Sequence, residues 1–174
     1  MDIHLSKKLE QVVKLARSDR YDDARSLCDE LIAQYQSDSE PYAKLAYVNA
    51  REGRYPDAVT CISQAIERSP GEPEYFYSRG RYHLAIGQTE DALRDFEEVI
   101  HLEGRHQSSY YLEPAWFYKA ESLARIGNFD EALRALESVS NGFSAWDGGL
   151  ITKGEVEQRC LSALGKASGA KPVG

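Results

Sequence analysis

The stretch Tyr42–Pro70, YAKLAYVNAREGRYPDAVTCISQAIERSP, decides the fold. Its first half sets Tyr42, Leu45, Ala46 and Asn49 along one side of a helix, and Glu52-Gly53-Arg54 breaks that pattern with a turn. Its second half carries Ala58, Ile62 and Ala65 at the same helical spacing until Pro70 stops it. A single helix pair of this kind cannot bury its apolar face alone, so the chain must supply stacked neighbours.

It does so at a fixed step of 34 residues. Gly53 and Gly87 are one step apart, and Ala24, Ala58 and Ala92 keep the same interval. Ala132 returns after six extra residues. An aromatic residue stands three positions before the alanine at Tyr21, Tyr55 and Phe129. The copies align as 5–38, 39–72, 73–106 and 113–146, with 107–112 as an insertion. The fourth repeats the pattern with Trp116, Leu123, Gly127, Phe129, Ala132, Leu136 and Val139. Small residues at Ala46, Gly80 and Ala120, and the alanine series itself, suit places where two helices approach closely.

This pattern of aromatic, leucine, small residue, glycine, aromatic, alanine and proline resembles the tetratricopeptide repeat family over nearly the whole chain. The resemblance implies an all-α, right-handed superhelix of antiparallel helix pairs whose first helices line a concave groove. Two departures are visible. The first copy has Lys8 and Asp19 where an aromatic and a glycine are usual, and Gly104 replaces the terminal proline of the third. After the repeats, Ser140–Gly149 reads as a glycine-rich loop holding Phe143 and Trp146. Ile151, Val156, Cys160 and Leu164 then mark an amphipathic capping helix over about 150–164. The expected organisation is one domain over 1–165 with a flexible tail over 166–174.

Composition narrows the function. The chain has 174 residues, 42% hydrophobic and 28% charged, with a mean hydropathy of -0.54. Asp2, Lys7, Lys8, Glu10 and Lys14 interrupt the first fifteen residues, which argues against a signal peptide. No stretch approaches the roughly 18 apolar residues of a membrane span, so a cytoplasmic location is expected. The net charge of -7 and pI near 5.2 argue against nucleic-acid binding. Cys28, Cys61 and Cys160 are too few and scattered for a disulfide framework or a zinc site and read as inert thiols.

Catalytic chemistry finds little to work with. Gly149–Gly154 is like part of a phosphate loop, but Glu155 stands where its lysine belongs and no strand is expected before it. His101 and His106 are poorly spaced for one helical face, and His83 occupies a packing position. Glu97-Glu98 reads as solvated helix charge. No enzyme activity, cofactor or metal is expected. Asp22-Asp23, Asp57, Glu90-Asp91 and Asp130-Glu131 each open a second helix, where acids favour the positive end of the dipole by roughly 0.3–1 kcal/mol.

What remains is binding of another protein, as a monomer or weak homodimer. The resemblance places Arg17, Tyr47, Arg51, Tyr77, Arg81, Phe117, Glu121 and Arg125 toward the groove, a mixture of aromatics and arginines typical of interface hot spots. Chaperone-binding members of the family clamp a C-terminal carboxylate with lysine and asparagine. Leu9, Val13, Ala43 and Tyr47 occupy those positions here, which weakens the Hsp70/Hsp90 adaptor reading. Residues 104–162, with the run His106–Glu121 and the trailing Trp146-Asp-Gly, resemble small bacterial repeat proteins encoded beside toxins and held to be immunity proteins. That resemblance implies sequestration of a cognate toxin, with Tyr110 and Tyr111 of the insertion and Trp146 as recognition elements; a register adjustment before the cap explains the insertion equally well. The alternative is a chaperone or assembly adaptor, for example for secretion-system components, holding a peptide in the groove. Arginines in the groove and acids on the surface point to opposite partners.

Overall fold

A computed structural model describes residues 3–105, 110–146 and 149–165. The chain divides into two compact units, 1–87 and 88–174. The first holds α1 (Ile3–Arg17), α2 (Tyr21–Gln34), α3 (Glu40–Arg51), α4 (Tyr55–Arg68) and α5 (Pro73–Ala85). Each helix packs on the next, and α1 also packs directly on α3. The second holds α6 (Thr89–Arg105), α7 (Leu112–Arg125), α8 (Phe129–Leu136), a hairpin of β1 (Ser144–Trp146) and β2 (Leu150–Thr152), and α9 (Lys153–Ala163). The fold is all-α with a C-terminal helix, as the repeat pattern predicts.

The turns explain why the helices come in pairs. Gly53, Gly87 and Gly127 have φ of +84°, +78° and +86°, the left-handed region where a side chain is costly. The next residue then donates its N–H across the helix end, from Arg54 to the Asn49 carbonyl and from Asn128 to that of Leu123, both at 2.8 Å. Asp19 adopts the same conformation at φ +57°, so the first copy keeps the turn without the glycine. A Cβ on Gly127 would meet nothing within 4 Å. Gly127→Ala should therefore cost only backbone strain, about 1–2 kcal/mol, seen as a lower thermal midpoint with unchanged helicity.

Acids in the first turn of α2, α4 and α8 do more than favour the dipole. The residue before each helix bridges to the acid at its third position: Arg20 to Asp23 at 2.7 Å, Arg54 to Asp57 at 2.8 Å, and Asn128 to Glu131 at 2.9 Å. None of these helices has a side-chain cap on its backbone N–H groups, so the bridge fixes the entry instead. Ala24, Ala46, Ala58, Ala92, Ala120 and Ala132 are wholly buried, which permits close helix approach. In the second unit, Phe96 of α6 stacks on Tyr118 of α7 with ring centroids 5.3 Å apart. Burial pushes the Cys28 thiol up to about 12 and raises those of Cys61 and Cys160, keeping all three protonated.

The C-terminal part departs from expectation. Residues expected to form a loop and the start of a helix instead form an antiparallel hairpin, with Ser144 opposite Thr152 and Trp146 opposite Leu150. The helix begins only at Lys153, because Thr152 and Glu155 close a capping box: the threonine hydroxyl accepts from the Glu155 N–H, and the Glu155 carboxylate from the Thr152 N–H. The glutamate that spoils the phosphate loop is thus the residue that starts α9. Residues 106–109 of the insertion region and the 166–174 tail lie outside the described residues.

Candidate protein-binding groove

The first unit presents a groove along α1, α3 and α5. One depression, of about 480 Å³, is bordered by Ser6, Leu9, Glu10, Val13 and Lys14 of α1 and by Glu40 and Lys44 of α3. A second, of about 250 Å³, lies between α3 and α5, where Ala43, Tyr47, Tyr75, Ser78 and Tyr82 surround Ile62 of α4. Val13, Arg17 and Lys44 border both, which makes them one continuous surface. Ile62 is only 2% exposed and forms the floor of the second depression.

Its tyrosine walls are held from behind. Ser39 Oγ and the Tyr75 hydroxyl are 3.0 Å apart, and Ser69 donates to Ser39 at 2.9 Å. Tyr82 leans on Tyr55 at 6.4 Å between centroids. Burial pushes the Tyr82 phenol up to about 12, so it stays neutral at physiological pH. Walls fixed in this way lose little conformational freedom when a ligand arrives.

Of the residues expected to face a partner, Arg17 and Tyr47 border this groove. Arg51 occupies the same repeat position as Arg17 but turns to Asp19, 3.9 Å away. Tyr77 and Arg81 of α5 are half-buried and border neither depression.

In the second unit two expectations are corrected. Phe117 is 0% exposed and Glu121 1%, so neither is available to a partner. The hairpin and α9 cover them. Phe143, just before β1, packs on Phe117 at 5.1 Å, and Arg159 of α9 pairs with Glu121. Arg125 closes on the other Glu121 oxygen at 2.8 Å, so it belongs to this buried cluster. Further ties hold the cover down: the Tyr118 hydroxyl donates to the Trp146 carbonyl at 3.2 Å, and Lys153 Nζ to the Val139 carbonyl at 2.7 Å. Tyr110 and Trp146 are exposed, at 78% and 66%, and Tyr111 is half-buried against the Tyr110 ring.

The model of the tetratricopeptide repeat matches residues 9–73, 43–106 and 77–140 in overlapping pairs. The chain belongs to the tetratricopeptide repeat family. Hsp70-Hsp90 organizing protein 2 of Arabidopsis thaliana is 27% identical over 123 residues, 68% of this chain and 19% of that protein. The chain spans less than a third of the length of the curated relatives it matches. Among solved structures, MamA superposes with a TM-score of 0.76 at 18% identity, over 96% of this chain and 87% of its own. The type III secretion chaperone SycD of Yersinia enterocolitica, solved with a peptide of the translocator YopD, gives a TM-score of 0.65 at 16% identity, over 72% of this chain and 97% of its own. At such identities the solved structures speak for the fold alone.

Tetratricopeptide repeats are protein-interaction modules, and this chain is one of them. Among the described residues no three His, Cys, Asp or Glu side chains are placed to hold a metal ion, and no helix is long and apolar enough to cross a membrane. Sequence reasoning passed over Lys44, Tyr75, Ser78 and Tyr82, which all border the groove. It followed one position per helical turn, whereas neighbouring positions on α3 and α5 also reach the surface. For the three on α5, the signal that could have found them is the density of tyrosines between Tyr75 and Tyr82.

Proposed function

We propose that this protein is a chaperone or assembly adaptor that holds an extended segment of a client protein in the groove of α1, α3 and α5. The observation that carries this reading is the groove's make-up. Leu9, Val13, Ala43 and Tyr47 stand where a carboxylate clamp would need polar side chains, and they give the groove apolar lining among charged residues. Such a lining suits a peptide read by its side chains rather than by its terminal carboxylate. The SycD structure, with its translocator peptide, supports the same use of the fold. The expectation of a toxin partner rested on residues 104–162, and the matched relatives lend it nothing.

Ala43→Trp tests the proposal. The new indole fills the depression between α3 and α5 from a half-buried position, so the fold should persist. A photo-crosslinking residue placed at position 43 should capture a linear client segment in cells of the source organism. The same probe at Glu30, exposed on α2, should capture nothing in common with it. The client should also bind the Ala43→Trp protein at least about tenfold more weakly, a loss of roughly 1.4 kcal/mol. Crosslinks confined to a probe at Trp146, with Ala43→Trp binding normally, would place the client on the hairpin instead.

A further inference from the structure

With α1, α3 and α5 as the client site, a premise shared with the proposed function, the detail of the groove specifies the segment it selects. The depression between α3 and α5 exists because position 43 is alanine. The residues at the same repeat position on the other first helices are Leu9, Tyr77 and Phe117, each of which would fill it. With Tyr47, Tyr75 and Tyr82 as walls, its volume of about 250 Å³ accommodates one large apolar side chain.

Arg17 borders that same depression. Three arginines share its repeat position, and their environments differ. Arg51 is paired with Asp19 and Arg125 with Glu121, while Arg17 has no ion pair among the described residues. Most other arginines of the first unit are also engaged: Arg20, Arg25 and Arg54 with carboxylates, and Arg68 with Tyr42 and the Gln36 and Gln64 carbonyls. Lys14 and Lys44 also face the groove, but Glu10 and Glu40 stand four residues before them on the same helices and offset their charge. The excess positive charge at this end of the groove is therefore that of Arg17. On the α5 side the rim carries Glu74 instead.

We infer that the client segment presents one large apolar side chain to the tyrosine-walled depression and a carboxylate side chain, one or two residues away, to Arg17. The spacing comes from chain geometry. An extended peptide advances about 3.3–3.6 Å per residue, so a group two residues from the anchor lies about 7 Å along the groove. Glu74 repels a second carboxylate on the other flank, so the acid belongs on one side of the anchor only.

Selection of phage-displayed random nonapeptides on the intact 174-residue chain tests this. The enriched sequences should share Phe, Leu, Ile or Met with Asp or Glu one or two positions to one side. Changing that acid to its amide in the leading synthetic peptide should weaken binding about tenfold, and the difference should shrink in high salt. In Arg17→Glu, an exposed substitution, selection should favour Lys or Arg at the acid's position. Enrichment of the apolar anchor with no acidic neighbour, or an unchanged preference in Arg17→Glu, would overturn the inference while leaving groove binding in place. Enriched peptides that bind Ala43→Trp as well as the native protein would overturn the groove reading itself.

Discussion

Phe117→Ala is expected to destabilise the second unit by about 3–5 kcal/mol, the cost of removing a wholly buried aromatic ring. The ring has contacts on both sides, with Tyr118 edge-on at 5.5 Å and Phe143 tilted at 5.1 Å. Its loss leaves a cavity under the hairpin that the short strands cannot collapse to fill. Urea unfolding should show a clear drop in midpoint. Peptide binding in the groove of α1, α3 and α5 should survive under conditions where the variant stays folded. A variant of native stability with impaired binding would mean that Phe117 is a contact residue after all, as its repeat position first implied.

The second large effect concerns Glu121. Its carboxylate is 1% exposed and is shared between Arg125 and Arg159, whose side chains are 32% and 48% exposed. Removing both arginines strands a charge in the interior, and Arg125→Ala with Arg159→Ala should cost about 3–5 kcal/mol. Adding Glu121→Leu to that pair should recover most of the loss, because an apolar side chain of similar size needs no partner there. Thermal melts of the double and triple variants make the comparison. Equal stability in the two would mean that water already reaches the carboxylate.

Much of this fold was legible in the chain. The step between Gly53 and Gly87, and the alanines at 24, 58, 92 and 132, mark turns and close contacts that the structure places where the spacing put them. These positions are set by local backbone geometry and by helix-to-helix distance, which leave a strong imprint on residue type. The hairpin was less legible. Three-residue strands carry too few alternations to register, and Gly142, Gly149 and Gly154 made the segment look like a loop. Thr152-Lys-Gly-Glu155 was the available clue, because it is a capping-box spacing that marks where a helix must begin.

The candidate site was half legible. Repeat position alone pointed to Arg17 and Tyr47, which border the α1, α3 and α5 depressions, yet the same rule sent Phe117 and Glu121 to a surface they do not reach. Repeat position fixes where a side chain starts, and only tertiary packing decides what covers it. No periodicity in the chain announces that Phe143 and Arg159 will lie over α7, because Arg159 lies beyond the last repeat and Phe143 stands after the last signature position, Val139.

That end also carries a hazard and its remedy. Trp146 and Leu150 face each other across the hairpin and are both largely exposed, a pairing that in a longer ribbon would invite a neighbouring chain to add a strand. Among the described residues each strand holds three residues, and the capping box of α9 ends β2 at Thr152. Edges this short offer few backbone groups to a further strand. The same four residues that start a helix thereby also limit the length of β2, one of the ways a sheet edge is kept from pairing with another chain.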